Sequence, residues 1–153
     1  MQGKLIENVK YQQIFTPLAI TASTVLYNGV AATTVGYIDT RNYDDCNIVL
    51  NMGVAAAGAV IDAAVYESDD VDPSASTALA DADFVQIVPA ADEAIQTMSI
   101  LTKNTKRYLW LQTSKTDVGG ASAVLSAVAV LGKSDSGPQV QVPAAVDIMQ
   151  NGN

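Results

Sequence analysis

Cys46-Asn47-Ile48-Val49-Leu50-Asn51-Met52 is the stretch on which the fold turns. Cys46, Ile48, Leu50 and Met52 alternate with Asn47, Val49 and Asn51. A period of two places successive side chains on opposite faces of a strand, with the apolar set turned inward. The same grammar recurs on both sides. Upstream, 18–26 and 33–39 are rich in Val, Ile, Thr and Tyr; downstream, 59–67, 83–88, 94–101, 106–114 and 122–132 follow suit. Ile61, Ala63, Val65 and Glu67 share one parity, and Tyr108, Trp110 and Gln112 oppose Leu109, Leu111 and Thr113. In the last run Val124, Val128 and Val130 take one face while Leu125, Ala127, Ala129 and Leu131 take the other, the pattern of a strand covered on both sides.

The separators are turn formers. Asn28-Gly29 is a strong turn dipeptide, Arg41 to Asp45 is polar, and Gly53 to Gly58 is small and flexible. Ser68 to Asp83 reads as a longer acidic excursion around Pro73; Pro89 to Glu93 and Asp117 to Gly120 are further breaks. The Ala-rich stretches 54–64 and 121–131 have helical propensity, but Gly58 and their β-branched residues favour strand. About eight short strands without intervening helices specify an all-β, antiparallel sandwich of jelly-roll type. Three segments follow: an N-terminal arm at 1–16, a β-sandwich domain at 17–133 and a C-terminal tail at 134–153. In the arm, Leu5, Ile6 and Val9 suit one side of a short helix, Tyr11, Ile14 and Phe15 add bulk, and Pro17 ends the segment, which either packs on its own domain or reaches a neighbouring subunit. In the tail, Ser134 to Pro138 break the last strand, and Val140, Val142, Val146 and Ile148 are apolar.

Composition narrows the function. Apolar residues make up 49% of 153 residues, but much of that share is Ala, with two Phe and one Trp. An Ala- and Val-built core buries little area per residue, so assembly is an expected source of extra stability. The formal charge is −8, with 16 acidic against 8 basic residues, which argues against nucleic acid or an anionic membrane as a partner. Residues 1–16 lack the apolar core of a signal peptide, and no stretch reaches the ~18 apolar residues of a membrane helix. The expectation is a soluble protein made in the cytoplasm.

Chemistry-bearing motifs are sparse. Histidine is absent, which removes the commonest general base. The single Cys46 excludes an internal disulfide and reads as a buried structural thiol. Asp69, Asp70 and Asp72 have oxygen ligands that suit calcium, but the glycine and terminal glutamate of an EF-hand loop are missing, so a solvated acidic loop is the expectation. Asp44 and Asp45 beside Arg41 read as turn residues, and Gly119-Gly120 as a turn rather than a phosphate loop. Tyr108 and Trp110 have two readings: stacking on sugars or bases, or packing against the opposite sheet, which is preferred. No catalytic residue, cofactor or metal is expected.

The run Gly36-Tyr37-Ile38-Asp39-Thr40-Arg41-Asn42-Tyr43-Asp44-Asp45-Cys46-Asn47-Ile48-Val49-Leu50-Asn51-Met52-Gly53, followed by Ala64-Val65-Tyr66-Glu67-Ser68-Asp69-Asp70, resembles capsid decoration (cement) proteins of tailed bacteriophages. Arg107 to Leu111 and Val128 to Gly132 look like later strands of that family, so the resemblance covers about 17–133. It implies a jelly-roll-like β-sandwich, attachment to the outer capsid surface of a virion, the major capsid protein as partner, and no catalytic residues. A homo-oligomer, dimer or trimer, is expected. Leu5, Ile6, Val9, Tyr11, Ile14 and Phe15, and then Val140, Val142, Val146 and Ile148, are the candidate contacts to capsid or sister subunits. Two other readings stay open: another virion part (head fibre base, tail or connector component), and a carbohydrate-binding or adhesion module with Tyr108 and Trp110 exposed.

Overall fold

The Cys46 to Met52 alternation becomes the heart of a sheet. In the computed structural model, which describes residues 9–20, 26–28, 37–88, 95–115 and 121–132, the side chains of Cys46, Ile48, Leu50 and Met52 are all buried, the most exposed being Met52 at 3%. There are nine described strands: β1 (Val9–Ile20), β2 (Leu26–Tyr27), β3 (Ile38–Asp39), β4 (Asp45–Ala55), β5 (Ile61–Ser68), β6 (Thr77–Asp83), β7 (Ile95–Leu101), β8 (Tyr108–Lys115) and β9 (Ala123–Gly132). Two short 3-10 turns, Pro73–Ala75 and Thr102–Asn104, are the helical elements among the described residues.

One sheet has the order β1-β9-β4-β7; the other runs β2-β8-β5-β6, with β3 also on β8. Every strand pair is antiparallel. Leu26 and Tyr27 sit opposite Thr113 and Gln112, and Ile38 and Asp39 sit opposite Leu109 and Tyr108. β2 and β3 are therefore two pieces of one interrupted strand along β8. Counted that way, the first strand pairs with the last, the second with the second-last, and so inward: a long antiparallel hairpin rolled over itself. This nesting is a jelly roll, as the turn-punctuated pattern predicts.

The core lies between the sheets. Ile48, Leu50, Leu125 and Leu131 from one sheet meet Ile61, Val65, Leu109 and Leu111 from the other, all fully buried. Burying one such side chain stabilises by roughly 1.5–3 kcal/mol before chain entropy is subtracted. Turn chemistry matches the sequence. Asn28 adopts a left-handed φ of 47°, donates its N–H to Leu111 O at 2.9 Å and accepts from Leu111 N through Oδ1 at 2.8 Å. Its side chain thus substitutes for one more ladder residue. Gly58 turns between β4 and β5 at φ 84°, a backbone angle that penalises any Cβ.

Four expectations need correction. Pro17 does not end the N-terminal segment, because β1 runs through it; the helix expected around Val9 is strand there, and the arm boundary at 16 cuts across β1. An edge strand leaves one side unpaired and so tolerates a proline. The acidic excursion hides β6, whereas most of 83–88 lies outside any strand, with Ile87 bridged singly to Ile61. Gly53 to Ala55 extend β4 rather than forming a flexible turn. β9 is covered fully on its Leu125 face alone; Val124 on the other face is 37% exposed. The Ala-rich stretches are not helical where described: they supply the end of β4, the start of β5 and β9.

Candidate functional site

The arm residues separate in β1, the edge strand beside β9. Phe15 is buried in the core, and Ile14 packs half-buried against it. Phe15 thus serves its own core, the own-domain packing that was one of the two readings of the arm, and β1 shifts register against β9 at Gln13/Phe15 and Phe15/Leu18. Val9 is half-buried opposite Gly132, and Tyr11 is 45% exposed. Leu5 and Ile6, like Val140, Val142, Val146 and Ile148, lie outside the described residues. The pairing of Val9 with Gly132 places the first and last described residues side by side at one end of one sheet.

The long sides of the sandwich differ. On the β1 side, Gln12 donates its amide to Tyr37 O at 2.7 Å and so ties the edge of one sheet to the β3 region of the other. On the opposite side, β6 and β7 leave a groove of about 410 Å³ bordered by Leu79, Ala82, Met98, Ile100, Leu101 and Thr105. Leu79 and Met98 in its lining are half-buried core neighbours, while Asp81, Ser99 and Asn104 add polar groups.

The outer face of the second sheet carries aromatics that the sequence placed elsewhere. Tyr108 and Trp110 are buried, at 8% and 0% exposure, but they form a cluster with Tyr27 apart from the main core. Their parity is the reverse of core-facing Leu109 and Leu111, so they do not pack against the opposite sheet. Tyr37 meets Tyr108 edge-on at 4.6 Å, and Tyr27 meets Tyr66 edge-on at 6.1 Å. The Arg107 guanidinium lies 4.7 Å above the Tyr108 ring and grips Asp39 with Nε and Nη2 at 3.0 and 2.7 Å. That hydrogen bond holds the Asp39 carboxyl below its ordinary range, with burial opposing. With Trp110 sealed from solvent, its ring offers no stacking platform for a sugar or base.

The acidic loop is occupied by its own turns. Ser68 Oγ accepts from Asp70 N at 2.9 Å, Asp70 Oδ1 from Asp72 N at 3.2 Å, and Asp72 Oδ1 from Ser74 N at 2.8 Å. The last bond caps the Pro73–Ala75 turn and lowers the Asp72 pKa. Among the described residues, no group of three or more His, Cys, Asp or Glu is placed to hold a metal ion. Cys46 is fully buried, and desolvation pushes its thiol pKa up to about 12.

No family model and no curated protein matches the chain. Solved structures do. The infectious bursal disease virus VP2 subviral particle aligns over 83% of this chain and 33% of that chain, with a TM-score of 0.51 and 14% identity. The likeness is one of fold. Weaker alignments reach T=1 particles derived from the same virus, with TM-score 0.44, 11% identity and coverage of 86% and 37%. Disulfide-linked pili of Bacillus endospore appendages align at TM-score 0.45 and 13% identity, over 83% of this chain and 89% of that one. This chain thus spans about a third of the VP2 chain.

Proposed function

We propose that the protein is a structural part of a virus particle, a cement protein that sits on the outer capsid surface and stabilises contacts between major capsid subunits. The observation that carries this reading is the jelly-roll body, similar in fold to a viral capsid protein, with Val9 and Gly132 side by side at one end. A small rigid body can rest over a seam between subunits while Leu5, Ile6 and the Val140 to Ile148 segment make tethered contacts at high effective concentration. Among the described candidate contacts, Tyr11 is exposed. The charge of −8 directs such a body to a neutral or basic outer surface and away from packaged DNA. The reading assigns no catalytic residue, metal or cofactor. The buried Trp110 weighs against the carbohydrate-binding alternative.

The test adds full-length protein, and a version starting at Val9 that keeps β1 intact, to undecorated tailed-phage capsids. Binding by the full chain with protection of the shell against heat supports cementing. Weaker protection by the shortened chain assigns contacts to Leu5 and Ile6. Failure of the full-length protein to bind capsids overturns the proposal.

A further inference from the structure

Sheet edges expose rows of unpaired N–H and C=O groups, and folded proteins usually blunt them. Here the blunting is uneven. β1 carries Lys10, Pro17 and two bulges. β6 breaks register against β5 between Ala64 and Tyr66, holds Asp81 at a left-handed φ of 58°, and exposes Asp81 and Asp83. β2 and β3 are two residues each. β7 has none of these devices. Ile95-Gln96-Thr97-Met98-Ser99-Ile100-Leu101 contains no charge, Pro or Gly, and it pairs with β4 in unbroken register from Asp45↔Leu101 to Asn51↔Ile95. Ile95 and Leu101 are 65% and 52% exposed. Among the described residues, β4 is its one strand partner. Gln96 Nε2 donates to Val85 O at 2.9 Å and ties the seam at one end, while the groove stays open from Met98 to Leu101.

The same chain contains a segment suited to that edge. In Val140-Gln141-Val142-Pro143-Ala144-Ala145-Val146-Asp147-Ile148, every even position is apolar, whereas the odd ones are Gln, Pro, Ala and Asp. This is the alternation of a half-buried strand, and its single proline suits an outermost strand. Residues 137–146 carry no charge, as β7 carries none. Contact between these two neutral strips lets copies of a chain with net charge −8 approach at their least repulsive surfaces.

We infer that residues 140–148 of one copy add as an outer strand to β7 of a second copy, with Val140, Val142, Val146 and Ile148 turned into the groove beside Leu79 and Met98. Main-chain hydrogen bonds to the β7 edge give affinity, and the groove reads the apolar alternation. The segment follows β9 in sequence, and the end of β9 at Gly132 is joined through Asp44 to the Thr102 turn at the end of β7. Two copies related by a two-fold axis exchange segments reciprocally, burying two added strands instead of one. Within the capsid reading, this assigns the tethered contacts of residues 140–148 to a sister copy and leaves Leu5 and Ile6 for the capsid, and a test without capsids separates the two.

The experiment measures the solution mass of full-length protein by light scattering, without capsids, alongside Val142→Asp/Val146→Asp and Met98→Lys. Hydrogen exchange of the β7 amides and circular dichroism are recorded for each. The expected result is a dimer or larger assembly for the parent, with protected β7 amides. The variants are expected to be monomers with an unchanged β spectrum and rapid β7 exchange. The tail variant decides alone if Met98→Lys unfolds, because its substitutions lie outside the β-sandwich body. A monomeric parent, or a tail variant that keeps the parent's mass, overturns the inference. A monomeric parent whose β7 protection is lost in the tail variant places the segment on its own chain, which also overturns exchange between copies.

Discussion

Thr113 offers a clean measurement of what a misplaced hydroxyl costs. It lies on β8 between Leu26 and Ala63 and turns inward with Leu109 and Leu111. It is fully buried, and its Oγ1 has no hydrogen-bond partner among the described residues. An unsatisfied buried hydroxyl costs about 1–3 kcal/mol in desolvation. Thr113→Val replaces it by a methyl of similar size and keeps β-branching, which suits a strand. The expected gain is about 1–2 kcal/mol, read as a higher urea midpoint with an unchanged m-value. Melting should rise by about 2–4 °C for each kcal/mol in a chain of this length. Thr113→Ala is the control: it removes the hydroxyl but also a methyl, whose cavity costs about 1 kcal/mol. It should fall below Val and near the parent. If Thr113→Val leaves the midpoint unchanged or lowers it, the hydroxyl is satisfied, and the account of this site is wrong.

Leu125→Ala, in the central strand β9, should destabilise by about 2–5 kcal/mol in the same denaturation assay. Cys46, its thiol pKa pushed up to about 12 by burial, should resist thiol reagents in the folded protein and react once denaturant is added. Rapid labelling under native conditions would contradict the burial. Asp39→Asn should destabilise at neutral pH, and the deficit should vanish in acid. Because Arg107 depresses the folded-state pKa of Asp39, the stabilisation is complete above the unfolded value near 3.8 and is lost as pH falls through the lower folded value. Stability curves of the two proteins at several pH values check the convergence.

The strands that were legible in the sequence are those whose alternation faces a core. β4 and β9 carry apolar residues at every second position, and β5 does so from Ile61 to Val65. β1 was obscured by Pro17 and by two bulges, which break the period of two and make an edge strand look like an arm. β6 is the Ala- and Asp-rich Thr77–Asp83, whose composition argues for a loop; it is a strand because β5 offers it a ladder, an energy no local propensity contains. Parity found that Tyr108 and Trp110 share a face, but it could not say which face met the core. Leu109 and Leu111 took that side, leaving the aromatics to close over the outer surface with Tyr27. Of the candidate contact residues, Phe15 and Ile14 were bulky for the core's sake. The β6–β7 groove was not visible in the sequence at all, since it depends on which strands end up at the two edges.

The position of β9 has a consequence for how the protein is made. The last described strand sits between β1 and β4, so the first sheet has no continuous ladder until residue 132 has been synthesised. A nascent chain emerging from the ribosome carries the apolar faces of β1 and β4 with an empty slot between them. Folding therefore waits until β9 has emerged and proceeds through distant pairings, which are slow to find. A ribosome stalled before Ala123 should display a protease-sensitive chain, whereas one stalled well beyond Gly132 should display a resistant one.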